Sequence, residues 1–217
     1  MHKNTTRVLA LLACSSAMVA AGERLIIGDF FERDLSGWET ESFEKETQYG
    51  FTGASGRTVL RARCDASASG LVYQQEIDLT RTPVLHWSWR IEHVYRGVNE
   101  KTEDGDDYPA RIYVIHDGGL LKWRSRAINY VWSSNQPVGE TWPNAFAGQA
   151  EMVAVRSGPP TRADRWYTQS RNVAEDFRQI HGLELDDIDA VALMTDCDNS
   201  VRQSRAYYGN IYFTPGN

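Results

Sequence analysis

Two acidic loops carry the densest set of cation-binding side chains in the chain. Glu100, Glu103, Asp104, Asp106 and Asp107 stand directly ahead of an alternating apolar run that begins near Ala110. Asp196, Asp198 and Asn199 follow a second such run that ends near Thr195. If the two runs are antiparallel neighbours, the start of one lies beside the end of the other and both loops share one edge of a sheet. The carboxylates of Asp106, Asp107, Asp196 and Asp198 would then converge with the Asn199 amide. That donor set suits a hard cation such as calcium, which takes roughly six to eight oxygens. The alternative is a loop pair held without an ion, with Arg111 and backbone N–H groups taking the carboxylates one by one.

A second set of residues stands on the polar sides of alternating runs. His86, Ser88 and Arg90 share one side of their run, Arg111 and Tyr113 share a side of theirs, and Asn129 projects from another. Tyr208, Asn210 and Tyr212 line the last run. Gathered on one concave surface, they would form a groove for an oligosaccharide or polysaccharide. Ring faces stack on aromatics, hydroxyls take side-chain hydrogen bonds, and a guanidinium grips a uronate carboxylate in bidentate fashion. Trp142, in the stretch Trp142-Pro-Asn144, is the candidate exposed sugar platform. The competing reading is an ordinary polar outside of a half-buried sheet, with Trp142 folded back over the core. No nucleophile elbow, P-loop, His-Glu-x-x-His or Cys-x-x-Cys motif occurs, and the His residues have no zinc-ligand spacing.

These side chains depend on many short strands. Leu85, Trp87, Trp89 and Ile91 alternate with His86, Ser88 and Arg90, which predicts a strand with both tryptophans inward. Similar runs cover 58–63, 71–78, 110–116, 127–133, 152–156, 190–195 and 206–214, separated by Gly- and Pro-containing turns. Leu25 to Phe30 and Tyr208 to Phe213 are further strand candidates and candidate neighbours. One helix is predicted near 172–181, with Val173, Phe177 and Ile180 on one side and Gly182 at its end. The fold class that follows is all-β, an antiparallel β-sandwich with one short helix, in a single domain over 23–215.

Composition agrees. A chain of 217 residues, 41% hydrophobic, is long enough for a proper core and too apolar for disorder. Its net charge of −6 argues against nucleic acid as a partner. The absence of an apolar run long enough to span a bilayer argues against a transmembrane anchor. Residues 1–21 combine Lys3 and Arg7, a short apolar stretch and the small exit Val19-Ala-Ala21, the pattern of a signal peptide. The protein is therefore expected to be periplasmic or secreted. A lipoprotein anchored through Cys14 in Leu11-Leu-Ala-Cys14 is the less favoured variant. Cys64 and Cys197 remain after cleavage, and paired and free states both stay open.

Several segments together carry a family likeness: Gly105-Asp-Asp-Tyr-Pro-Ala-Arg-Ile-Tyr-Val114, Ala127-Ile-Asn-Tyr-Val-Trp132, Ala192-Leu-Met-Thr-Asp-Cys-Asp-Asn199 and Ala206-Tyr-Tyr-Gly-Asn-Ile211. With Ser67-Ala-Ser-Gly-Leu71 and Trp87-Ser-Trp-Arg90, the chain resembles the bacterial domain-of-unknown-function family 3047. More loosely, Gly28-Asp-Phe30, Leu35-Ser-Gly-Trp38 and Tyr208-Gly-Asn-Ile-Tyr-Phe213 resemble jelly-roll carbohydrate-binding modules, a likeness of architecture. The function expected is binding of a glycan or envelope polysaccharide. The alternative is a polysaccharide-active enzyme on the same scaffold. One form is a lyase using His86, Arg90, Arg111, Tyr113 and Asn129. The other is a hydrolase pairing Asp106 or Asp107 with Asp196 or Asp198. Val114-Ile-His116 resembles the Gln-Ile-His of jelly-roll alginate lyases, with Val in place of Gln.

Overall fold

The computed structural model describes residues 24–119, 124–200 and 202–216. The expected signal peptide, Cys14 and Trp123 lie outside the described residues.

Short alternating runs become fourteen strands among the described residues, in two facing sheets. Numbered in chain order, the first sheet runs β1 (Leu25–Gly28), β14 (Ile211–Thr214), β6 (Val84–Ile91), β13 (Gln203–Tyr208), β4 (Arg57–Asp65) and β3 (Gln48–Ala54), with β11 (Tyr167–Asn172) also paired to β6. The second sheet runs β2 (Trp38–Glu44), β5 (Ala68–Asp78), β12 (Asp187–Met194), β7 (Arg111–His116), β8 (Arg126–Ser133), β10 (Ala150–Ser157) and β9 (Thr141–Pro143). Among the described residues the pairs are antiparallel except β8 with β10, which is parallel. β1 does pair with β14, so the two ends of the domain are neighbours.

Period-two alternation sets the core between the sheets. Trp87 and Trp89 point inward from β6 and meet Tyr130 and Trp132 from β8, with ring centroids 5.4 and 6.0 Å apart. All four are buried, as their alternation requires. The expected run 206–214 breaks into β13 and β14 at Gly209-Asn210. A Cβ on Gly209 would lie 2.3 Å from Ser88 Oγ, so any larger residue there would force the Ser88 side chain to turn away. That break resets the alternation. Tyr208, expected beside Tyr212 on the polar side, instead faces the core and donates its hydroxyl to the Met194 carbonyl at 2.7 Å.

Strands β2 and β3 have no counterpart in the sequence reading. They are edge strands, and the sequence of β2, Trp-Glu-Thr-Glu-Ser-Phe-Glu, has no apolar alternation to announce it. The helix α1 (Val173–His181) starts where expected. The Asn172 side chain accepts from the Glu175 N–H at 3.1 Å, and Gly182 ends the helix at φ 67°. Cys64 and Cys197 form a disulfide that ties the end of β4 in the first sheet to the loop after β12 in the second. Closing a loop of 133 residues removes about 5 kcal/mol of unfolded-state entropy in the chain-entropy model. No helix among the described residues is long and apolar enough to cross a membrane.

Candidate ligand-binding site

Antiparallel pairing of β7 with β12 sets Arg111 opposite Met194, which brings the two acidic loops together at one end of the sandwich. The Tyr108 N–H donates to Asp196 Oδ1 at 3.2 Å, and the Asn199 and Ser200 N–H groups donate to Asp107. Arg111 is the cation of this cluster. Its guanidinium makes an ion pair with Asp196, lies 3.6 Å from Asp106 and sits over the Tyr108 and Tyr113 rings. It is 4% exposed, so the pair is a buried one. Burial pushes the Asp196 carboxyl upward against the pull of Arg111, and the nearby Asp107 and Asp106 charges add to the push. Burial also raises Asp106 and Asp198 above the usual carboxylate range. Glu100 does different work: its carboxylate accepts from the Ser133 hydroxyl and the Ser134 N–H and so holds the turn after β8.

Beside this cluster, the outer face of the second sheet is hollowed into a cavity of about 480 Å³. Small side chains make the room: Ala68, Ala127 and Ala150 stand on three different strands of its lining. Arg111, Tyr113 and Asn129 line it, as do Asp106, Asp196, Asp198 and Asn199. Parts of the two sets that the sequence separated into a cation site and a sugar site therefore share one space. Asn144 shapes the wall. Its Nδ2 donates to both oxygens of Asp106 at 3.1 Å, while its Oδ1 accepts from the Phe146 and Ala147 N–H groups at 3.1 and 2.9 Å. This turn presents Phe146, 59% exposed, at the cavity; Phe43, 70% exposed, comes from β2 at the opposite edge of the sheet.

Three expectations need correction. His86 and Arg90 belong to β6 in the first sheet, so their side faces away from the cavity in the second. His86 stacks on Tyr212 at 4.8 Å and bonds Thr214 Oγ1 at 2.9 Å, while Arg90 lies over Tyr207 at 3.9 Å. A five-residue groove of His86, Arg90, Arg111, Tyr113 and Asn129 is therefore not assembled. Trp142, the expected exposed platform, is 4% exposed and packs with Tyr108, Val131, Met152 and Ala154 beneath the cavity wall. The pairing of its strand β9 with β10 sets Trp142 opposite Met152 on the outer face of the sheet, where its neighbours cover the ring. Among the described residues the exposed aromatics are Phe43 and Phe146, which sequence reasoning missed. The available signal was an aromatic in a polar or small-residue stretch with no alternation to bury it, as in Glu41-Ser-Phe-Glu44 and Asn144-Ala-Phe-Ala147.

Asp107, Asp196 and Asp198 each offer an oxygen within 4.8 Å of the others. Calcium fits this set poorly. Asp196 is already paired with Arg111, Asp107 already takes two backbone N–H groups, and the buried guanidinium repels a second cation. The individually held form of the acidic edge is the one these contacts favour.

A family model described as a protein of unknown function, DUF3047, matches residues 36–212. No curated protein matches the chain. The family 30 carbohydrate-binding module of a cellulosomal cellulase from Clostridium thermocellum superposes with a TM-score of 0.53 at 7% identity, over 90% of this chain and 99% of that one. A cellulose induced protein gives 0.49 at 10% identity over 85% and 95%. A module complexed with β-1,4-galactotriose gives 0.43 at 12% identity over 88% and 95%. The first of these similarities establishes a shared β-sandwich architecture of the carbohydrate-binding-module type.

Proposed function

This chain belongs to the DUF3047 family of proteins of unknown function, and we propose that it is an exported, glycan-binding β-sandwich whose ligand lies in the cavity of the second sheet. One observation carries the reading: two exposed phenylalanines from opposite sheet edges flank a mainly apolar hollow into which a few polar side chains are set. Phe43 and Phe146 offer faces on which sugar rings stack, and Tyr113, Asn129 and Asp198 offer hydroxyl partners between them. The shared architecture with a carbohydrate-binding module supports the same reading. The disulfide and the signal-peptide pattern support a periplasmic or secreted location. The lyase alternative loses its imidazole to the other sheet, and no observation favours it.

A glycan array probed with the mature chain tests this, followed by calorimetry on each hit with Phe43→Ala and Phe146→Ala. Binding that both substitutions weaken is expected. An empty array, or hits indifferent to both phenylalanines, would show that the cavity is not a sugar site.

A further inference from the structure

Arg111 does not make this cavity a uronate site. The carboxyl residues of the lining are Glu44, Asp106, Asp196 and Asp198, against one guanidinium, that of Arg111. The guanidinium is already engaged by Asp196 and Asp106, so its charge is compensated inside the wall. An incoming carboxylate would meet uncompensated negative charge, which raises the cost of its own desolvation.

A second observation is independent of this count. Asn129 is 1% exposed and lines the cavity, yet its Oδ1 has no hydrogen-bond partner; its Nδ2 is directed to Met152 Sδ at 3.1 Å. Asp198 Oδ1, in the same lining, is also buried and without a partner. Buried acceptors left unpaired are costly, and both of these ask for a donor. An ammonium group supplies up to three donors and no acceptor, and it carries the charge that the lining lacks. It is also attracted to the faces of exposed aromatic rings such as those of Phe43 and Phe146.

We propose that the cavity selects a glycan bearing a free amine, a hexosamine-type residue taken up as its ammonium, with Asp198, Glu44 and Asn129 as its partners. This rests on the glycan-binding reading and narrows it. The carboxyls that burial raises, Asp106, Asp196 and Asp198, must be ionised to hold the cation, so affinity falls as the pH is lowered through their range. The other charged or titratable groups at the site are Glu44, Asp107, Arg111 and Tyr113, and the Tyr113 phenol is held protonated by burial.

Calorimetry on the mature chain with three probes tests it: a β-1,4-glucosamine oligomer, its N-acetylated counterpart and an oligogalacturonate of equal length. The amine form is expected to bind about tenfold or more tighter than the N-acetylated form, as befits a charge-assisted hydrogen bond, and the uronate weakest. Added salt should narrow the gap, and so should Asp198→Asn. If that variant folds poorly, Glu44→Gln on the edge strand gives the same reading. Equal or stronger binding of the N-acetylated or uronate oligomer overturns the amine assignment and leaves the glycan-binding reading standing. Spermidine binding as tightly as the glucosamine oligomer also overturns it, since ionic capture alone would explain the result. Silence from all three probes overturns it as well, and the array then decides the broader reading separately.

Discussion

The two sheets present outer faces built from similar residues that do different things. On the first sheet, His86 and Arg90 lie flat on neighbouring rings and stay half-buried. On the second, Arg111 and Asn129 sit at equivalent alternating positions yet are almost wholly buried, because loops and edge strands rise around them. The same period-two pattern thus yields a plain surface in one place and a walled cavity in the other. What separates them is the material at the rim: two acidic loops, the 144–147 turn and β2.

Removing the arginine from each face is the strongest way to break this contrast. Arg111→Ala leaves Asp196 and Asp106 buried without their counter-charge and should cost about 3–5 kcal/mol in urea denaturation. Arg90→Ala, a half-buried side chain resting on Tyr207, should cost less than about 1 kcal/mol. Equal losses would mean that the two faces are one kind of surface.

Next in size is the disulfide. Cys64→Ser should lower stability by about 2–4 kcal/mol and loosen the loop that carries Asp196 and Asp198, which a parallel drop in ligand affinity would report. Phe146→Ala should weaken glycan binding about tenfold while leaving stability within about 0.5 kcal/mol. His86→Ala should leave binding unchanged, and an effect there would move the site to the wrong sheet.

A smaller effect comes from pH. Burial raises the folded pKa of Asp106 and Asp198 above their ordinary 3.8, so the folded state binds their protons more readily than the unfolded chain does. Their contribution to stability is complete below 3.8 and is lost as pH rises through the raised values. The melting temperature should therefore climb as neutral buffer is acidified, and Asp106→Asn should flatten the climb. Exposed Asp34, Asp78 and Asp164, whose carboxyls hydrogen bonds hold low, act in the opposite sense only in more acid solution. The smallest expected response is to calcium: with Arg111 already in place, added Ca²⁺ should leave the midpoint unmoved. A clear rise would reinstate an ion at Asp107 and Asp198.

Much of this was legible before any coordinates. Alternation in Val84–Ile91 put both tryptophans inside, and antiparallel adjacency of the runs near 110–116 and 190–195 predicted that the acidic loops meet. The helix was marked by the spacing of Val173, Phe177 and Ile180 and by Gly182 at its end. Sheet membership was not legible. Period two says which side chains share a face of one strand, but His86 and Arg111 reach opposite sheets through long-range pairings that no local pattern encodes. The sequence offers Trp142 as the candidate platform, and passes over Phe146, for the same reason. Both lie in a turn-rich stretch, and only the pairing of β9 with β10 decides which ring goes under the wall and which stands above it.

The parallel pairing of β8 with β10 has a consequence for how this molecule could vary. Parallel neighbours cannot be joined by a tight hairpin, so residues 134–149 must travel back along the sheet before β10 begins. That return journey brings Trp142, Asn144 and Phe146 to the cavity side. The order of strands depends on its two ends alone, whereas the shape of the wall depends on what lies between them. The segment is thus a replaceable cassette: an exchange that keeps Trp142 as its anchor could re-tailor what the hollow accepts while the sandwich beneath it folds as before.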